Sequence, residues 1–141
     1  MDSMDLFKIA EKEKIPILYF SLPKTASCSV KGRNGDTAIG IDCSRVKSTA
    51  DFNVRIAHEL GHCTTGSFYN PYSPFDSRLK HERRANKWAA ENLVPFSELV
   101  DACRQGTREV WELAEYFGVT EDFIRTAIDI YASRITPESQ E

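Results

Sequence analysis

The sequence predicts an α+β fold in which a small N-terminal β-sheet and one helix precede a series of helices. Extended runs flank an Asn-Gly pair in the first third of the chain, and apolar residues recur at helical spacing from residue 50 onward. N-capping residues then mark the starts of further helices. With 141 residues and 41% hydrophobic residues, the chain has the usual size of one compact domain with one core.

The first third of the chain is expected to contain the sheet. Residues 4–14 show an amphipathic helix pattern that stops at Ile15, because a residue that precedes proline is driven out of the helical region. Residues 17–20 have the composition of a strand. Two extended runs between Cys28 and Asp42 flank the sequence GRNGD, whose Asn-Gly pair favours a tight hairpin turn.

From residue 48 onward, capping signals and helical periodicity predict five helices. Ser48 and Asp51 form a capping signature before the first of them, which Gly66 ends. Proline, glycine and aromatic residues between Gly66 and Asp76 predict a surface loop. Pro95 should end the second helix. The later caps are expected at Ser97, Thr107 and Thr120. The predicted helices span about residues 50–65, 78–93, 97–106, 107–118 and 120–134.

Composition argues against several classes of protein. A net charge of -3 and a pI near 5.7 provide no basic surface for nucleic acid or an anionic membrane. Charged residues interrupt the N-terminal segment, so no signal peptide is expected, and no run approaches the roughly 18 apolar residues of a membrane span. The four cysteines lack CxxC spacing, so we expect reduced thiols in a cytoplasmic protein.

The segment His58-Glu59-Leu60-Gly61-His62 lies in the predicted helix 50–65. Two histidines four residues apart project from one helix face, so both imidazoles can bind one zinc ion. Glu59 is rotated about 100° round the helix. Its carboxylate is thereby kept off the metal but near a zinc-bound water, whose proton it can take and pass to the leaving amine. This is the HExxH arrangement of zinc proteases. The alternative is a pair of ordinary surface histidines.

A catalytic zinc site needs a third protein ligand and an open fourth position. The metzincin solution, a histidine six residues after His62, is absent because Phe68 stands there. The gluzincin solution is a glutamate on a later helix, and the predicted helix 78–93 offers Glu82 and Glu91.

We favour Glu82 because small residues follow it on the same helix face. Small residues let two helices approach closely enough to share an ion. Glu91 lies on another face and is expected to be solvated. The stripe beside Glu82 consists of Ala85, Asn86 and Ala89, and the matching small residues on the first helix are Ala57 and Gly61.

Four further side chains are candidates for roles around the metal. Asn86 lies one turn beyond the proposed glutamate ligand and is a candidate to accept a hydrogen bond from a zinc-bound imidazole, or else is a solvated amide. Tyr69 and Tyr72 are candidate transition-state donors or packing residues. His81 is a candidate donor or, as we favour, a surface residue. A substrate peptide is expected to pair with the strand at residues 38–42.

Two longer segments resemble the ImmA/IrrE metallopeptidases. These are RIAHELGH at residues 55–62 and ERRANKWAAENLVP at residues 82–95, where the family typically has AHELGH and ExxANxFAxxLLxP. Trp88 replaces a common phenylalanine and Asn92 a common leucine. The resemblance covers about residues 10–130. It implies zinc ligands at His58, His62 and Glu82, with Glu59 as the catalytic residue.

The sequence pattern predicts a domain layout, and the resemblance implies an activity. A single domain over residues 1–141 would comprise the helix and sheet (1–47), a zincin-like HExxH helix followed by a Glu-ligand helix (48–95), a helical cover (96–135) and a frayed tail (136–141). The activity would be that of a gluzincin-like endopeptidase that binds one zinc ion, for which manganese or iron is an alternative. Its substrate would be a protein partner, a helix-turn-helix repressor of a phage or other mobile element, encoded as a separate chain.

Two other functions compete with proteolysis. One is a zinc-stabilised, non-proteolytic binding module or anti-repressor that sequesters a regulator. Glu59 argues against it, because a purely structural zinc needs no general base. The other is DNA binding through residues 113–128, which have a helix-turn-helix pattern. Glu121 and Asp122 would face phosphates with the wrong sign, so we expect a helix pair that covers the core and no nucleic-acid or membrane partner. The oligomeric state is left open.

Overall fold

A computed structural model describes residues 3–68 and 72–134 and confirms the predicted α+β class. A three-residue 3-10 turn, Cys43–Arg45, connects the sheet to the helical part. The strands are β1 (Ile17–Tyr19), β2 (Ser27–Lys31) and β3 (Thr37–Ile41). The helices are α1 (Ser3–Lys12), α2 (Thr49–Thr65), α3 (Phe75–Leu93), α4 (Phe96–Arg104), α5 (Val110–Phe117) and α6 (Glu121–Ala132).

The sheet has the strand order β1-β3-β2, so β3 lies in the centre. Strands β2 and β3 form the predicted hairpin, in which Gly35 adopts φ 89° and the Gly32 amide donates to the Asp36 carbonyl at 2.7 Å. Strand β1 pairs with β3 in parallel, with Ile17 opposite Ile39. Both edges of β3 are therefore occupied, and β2 is an edge strand within the described part of the chain.

Helix α2 is the central element of the fold. The Ser48 hydroxyl accepts a hydrogen bond from the Asp51 amide at 3.0 Å, and Gly66 ends the helix in a left-handed conformation, φ 67°, as predicted. One side of α2 packs against α1 and the sheet, and another packs against α3. Its buried residues Ile56 and Leu60 join strand residues and α3 residues in one core.

Helices α2 and α3 approach each other closely at Gly61. A Cβ atom at Gly61 would lie 2.5 Å from the Ala85 carbonyl oxygen and 2.9 Å from the Ala85 Cα. Ala57 and Ala89 are fully buried in the same core. The small residues noted in the sequence thus allow backbone-to-backbone contact between the two helices.

Helices α5 and α6 close the core, as predicted for residues 113–128. Apolar residues of both helices are buried, and the Asn53 side chain on α2 donates to the Gly118 carbonyl at 3.2 Å. The Tyr131 hydroxyl donates to the Val94 carbonyl at 2.7 Å, which joins α6 to the end of α3.

Two predicted caps are wrong. Helix α4 begins at Phe96 directly after Pro95, so Ser97 lies in its first turn. Proline is suited to this place because its fixed φ matches the start of a helix and no amide hydrogen is needed there. Helix α5 begins at Val110 after Glu109, and not after Thr107. The other helix boundaries differ little from the prediction, although α3 starts at Phe75 instead of Arg78.

Two further observations concern cellular context. All four cysteines are free, in agreement with the expected thiols. Across residues 3–68 and 72–134, no helix combines the length and apolarity that a membrane crossing requires.

Candidate metal centre

Helix α2 presents two imidazoles to one point in space. His58 and His62 are one helical turn apart, and their Nε2 atoms are 3.2 Å from each other. His62 is 5% exposed, whereas His58 is half-buried at the rim. The rings meet nearly at right angles, with centroids 4.8 Å apart. Two nitrogen ligands thus converge without any rearrangement of the helix.

Glu82 on α3 completes this cluster. Its Oε2 atom lies 2.9 Å from His58 Nε2, and its Oε1 atom lies 3.1 Å from His62 Nε2. The short glutamate side chain reaches both rings because α2 and α3 touch at Gly61. The Glu82 side chain is 35% exposed, so the cluster is open to solvent on one side.

The three side chains fit a metal ion. Their ligand atoms all lie within 4.8 Å of one another. Tetrahedral zinc with bonds of about 2.0–2.1 Å would hold its ligand atoms about 3.3 Å apart. The two imidazole nitrogens are 3.2 Å apart, and each lies 2.9 or 3.1 Å from a different oxygen of Glu82. Imidazole and carboxylate are suitable zinc ligands, and three protein ligands leave one position for water or substrate.

The outer nitrogen of each imidazole is held by an oxygen. Asn86 Oδ1 lies 2.7 Å from His58 Nδ1, and the Ser67 carbonyl oxygen lies 2.5 Å from His62 Nδ1. A carbonyl oxygen only accepts hydrogen bonds, so Nδ1 of His62 donates to Ser67 and Nε2 faces the cluster. Such partners fix the tautomer and orientation of metal-binding histidines.

Ser67 was not predicted from the sequence. The left-handed turn at Gly66 brings it back under α2, and its hydroxyl lies 2.6 Å from Thr65 Oγ1. A helix-ending glycine directly after the second histidine was the available signal, because the residue beyond such a turn folds back towards the last helical turn. Phe68 follows it, with its ring 6.4 Å from His62.

Glu59 lies beside the cluster without joining it. The side chain is 6% exposed and lines the same cleft as the three candidate ligands. Its Oε2 atom accepts a hydrogen bond of 2.7 Å from the Ser27 hydroxyl on β2. Ser27 is a second residue that the sequence did not indicate, because its position depends on pairing across the sheet.

Two ionisable groups near the cluster have shifted pKa values. Burial lowers the pKa of His58, but the hydrogen bond with Glu82 and the charges of Glu59 and Glu82 outweigh burial, so the pKa rises above 6.5. Burial raises the pKa of Cys63 to about 11, although a hydrogen bond with Thr37 opposes the shift. Cys63 is therefore a neutral thiol at physiological pH.

The cluster lies in a cleft with a volume of about 940 Å³. The cleft follows α2 from Ser48 to His62, a distance of about 21 Å at about 1.5 Å per helical residue. Residues of β2 border it, together with Thr120 and Asp122 at the start of α6. An extended peptide of about six residues has this length.

The expected substrate strand has to be corrected. The strand at residues 38–42 corresponds to β3, whose two edges pair with β1 and β2, so it has no edge available for a peptide. Strand β2 borders the cleft instead and, among the described residues, pairs only with β3. The sequence predicted the hairpin but did not indicate which of its two strands would also pair with β1.

Two of the remaining candidates are described by the structure and do not border the cleft. The Tyr72 side chain is 95% exposed and does not border the cleft, and His81 is half-buried on α3 but also absent from the cleft wall. Tyr69 lies outside the described residues. Glu91 pairs with Arg134 at 2.5 Å on the surface. A role for Tyr72 or His81 in transition-state stabilisation therefore stays a prediction.

The fold and the cluster define the class of HExxH metallopeptidase-like proteins. A glutamate from the following helix completes the ligand set, and the HExxH glutamate stands beside it. The chain belongs to the family Peptidase_M78, whose IrrE N-terminal-like domain model matches residues 10–129. This match confirms the resemblance to ImmA/IrrE proteins. No curated protein and no solved structure matches the chain at a significant level.

Proposed function

We propose that the chain is a zinc-dependent endopeptidase that cleaves a protein partner. The observation that carries the proposal is the convergence of His58, His62 and Glu82 on one point, with Glu59 beside them in an open cleft. Membership in a peptidase family supports the same reaction.

His58, His62 and Glu82 would hold the zinc ion. When bound, zinc would polarise the scissile carbonyl and lower the pKa of a water molecule. Glu59 acts as the general base that accepts a proton from the attacking water and then donates it to the leaving amine. Asn86 and the Ser67 carbonyl keep the two imidazoles in the orientation that the metal needs.

The substrate is an extended segment of the partner protein. The free edge of β2 supplies backbone groups that can pair with a peptide, which leads its carbonyl past the cluster. A cleft that extends about 21 Å along α2 away from the cluster can hold about six extended residues, so it suits a segment of a longer chain. Resemblance to the ImmA/IrrE proteins suggests a helix-turn-helix repressor of a phage or mobile element as the partner, in the cytoplasm.

The test is incubation of the zinc-loaded protein with the repressor encoded beside it and, separately, with an unfolded protein. We expect rapid cleavage by the wild type and only a small residual rate for Glu59→Gln, which keeps the size of the side chain but removes the base. If Glu59→Gln cleaves as fast as the wild type, the assigned base is wrong. If the wild type binds the repressor without cleaving it, the protein is a zinc-stabilised binding module or anti-repressor instead.

Metal binding provides an independent test of the ligands. Glu82→Ala should lower zinc affinity strongly, because it removes one of three ligands, while Glu59→Gln should leave the affinity within about twofold. Glu91→Ala is the matched control, since Glu91 lies on the same helix but pairs with Arg134 at the surface. Equal zinc affinity of Glu82→Ala and Glu91→Ala would remove Glu82 from the ligand set.

A further inference from the structure

Ser27 makes a direct hydrogen bond to the side chain proposed as the general base. Its hydroxyl oxygen lies 2.7 Å from Glu59 Oε2. Ser27 is 8% exposed and Glu59 is 6% exposed, so water competes little for this contact. A hydrogen bond to a carboxylate is about twice as strong as one between neutral groups, and a buried site strengthens it further.

The backbone around Ser27 holds this hydroxyl in place. Ser27 pairs with Ile41 at the start of β2, and the preceding Ala26 carbonyl accepts from the Asp42 amide at 2.8 Å. The Thr25 hydroxyl donates to the Ser27 carbonyl at 3.1 Å. The sheet and not the helix therefore sets the position of the donor.

One oxygen of Glu59 remains for chemistry. Oε2 is engaged by Ser27, while Oε1 has no hydrogen-bond donor within the described part of the chain. Glu59 also borders the cleft that contains the metal cluster. Rotation about the last side-chain bond would exchange the two oxygens, and the Ser27 hydroxyl opposes that rotation.

We propose that Ser27 is a positioning residue that holds the Glu59 carboxylate with one oxygen directed to the attacking water. This inference rests on the proposed peptidase function, because positioning affects the rate only if Glu59 is the base. A base must keep its geometry within about 0.5 Å to be effective. Ser27 fixes the carboxylate from outside α2, so β2 both borders the substrate cleft and orients the base.

The test compares steady-state kinetics of four zinc-loaded proteins on one peptide substrate. Relative to the wild type, Ser27→Ala should lower kcat at least about tenfold, with KM and zinc affinity within about twofold. Ser27→Thr keeps the hydroxyl and should recover most of kcat. Thr37→Val is the matched control, because it removes a hydroxyl on β3 that contacts Cys63 of the same helix. Its kcat should remain within about twofold of the wild type.

Two further measurements separate positioning from general support of the fold. Ser27→Cys keeps the size of the side chain but donates poorly, so it should also lose kcat even where Ser27→Ala fails to fold. In the Glu59→Gln background, adding Ser27→Ala should reduce the residual rate no further, because Ser27 acts through Glu59.

The outcomes are distinguishable. An active wild type together with a Ser27→Cys variant of unchanged kcat would overturn the inference. So would a Thr37→Val variant that loses as much as the serine variants, since the effect would then belong to the sheet in general. A wild type that binds zinc but cleaves nothing would contradict the proposed function itself.

Discussion

Gly61→Ala should uncouple the two helices that carry the proposed metal ligands. The new Cβ would lie 2.5 Å from the Ala85 carbonyl oxygen, about 0.9 Å below the shortest ordinary contact of 3.4 Å. The clashing atoms belong to the backbone of Ala85, so no side-chain rotation can relieve the clash. Helix α3 must therefore move away from α2, and Glu82 moves with it. Metal sites tolerate deviations of only about 0.2 Å in ligand distance.

The magnitude follows from the strain of overpacking, which is typically about 1–3 kcal/mol. In the metal-free Gly61→Ala variant, α2 and α3 can separate and relieve this strain. Metal binding draws Glu82 back towards the two histidines and so restores the strain. Zinc affinity should therefore fall by about 5- to 150-fold, the equivalent of that free energy. The free energy of unfolding is a weaker indicator, because alanine favours a helix over glycine by about 1 kcal/mol.

The assay is competition between the protein and a chelator of known zinc affinity, with urea unfolding of the metal-free protein alongside. Gly32→Ala is the matched control, because a Cβ there would lie 3.2 Å from the Asn34 side chain and at an ordinary contact distance of 3.6 Å from the Asp36 carbonyl oxygen. Adding Ala85→Gly to the variant should not restore affinity, since the clash is with the backbone of residue 85. Unchanged zinc affinity together with unchanged stability would refute the close-contact argument.

Three other predictions concern the side chain that orients His58 and two side chains that stabilise the fold. Asn86→Ala should lower zinc affinity about 10- to 100-fold, because the His58 ring loses the oxygen that orients it; chelator competition measures this. Tyr131→Phe should lower the free energy of unfolding by about 1 kcal/mol in urea titrations, because its hydroxyl donates to the Val94 carbonyl at 2.7 Å. Asp42→Asn should destabilise the protein at pH 7 but progressively less as the pH falls below about 4.

The sign of the Asp42 effect follows from its contacts. Hydrogen bonds from Ser44 and from the Leu22 amide, with the nearby charge of Arg45, lower the pKa of Asp42 below 3.8 in the folded protein. Its stabilising contribution is thus complete above the unfolded pKa and disappears as the pH falls through the folded one. A constant difference between the two proteins from pH 7 to pH 2 would contradict this linkage.

The control for Asn86→Ala is a variant on the same helix, α3. Asn92→Ala also removes an amide from α3, where Asn92 donates to the Trp88 carbonyl at 2.8 Å, and it should leave zinc affinity unchanged. If it weakens zinc as much as Asn86→Ala, the effect arises from the helix as a whole. For Tyr131→Phe, an unchanged free energy of unfolding would contradict the prediction. It would mean that the hydrogen bond to the Val94 carbonyl is no stronger than the one that the hydroxyl makes with water in the unfolded chain.

The parts of the fold that were predictable from sequence depend on neighbouring residues. The Ser48 cap, the Gly66 stop and the Asn-Gly hairpin each involve residues at most a few positions apart. The close approach at Gly61 was also predictable, because small residues recur on both helices. Thr107 was predicted to cap α5, but the helix begins at Val110, after Arg108 and Glu109. Gly106, directly before Thr107, ends the preceding segment with φ 101°.

The parts that could not be predicted depend on contacts between distant segments. Strand order places β3 between β1 and β2, and nothing in the three short strands distinguishes a central strand from an edge strand. Ser27 is 32 residues from Glu59, and no local pattern links the two. Sequence therefore revealed the residues of the HExxH motif and the candidate partner Asn86, whereas the structure was needed to find Ser27 and Ser67.

Each polar side chain of the site depends on a different structural element for its partner, so folding itself positions these side chains before any metal binds. Glu59 and His62 are both buried, and burial of a polar group without a partner is costly. Glu59 finds its partner on β2, while His62 finds one at Ser67 beyond the helix end and another at Glu82 on α3. Each partner is available only when its own element has docked on α2. The free energy that orders the site therefore comes from folding, and a metal ion would bind to ligands already in place.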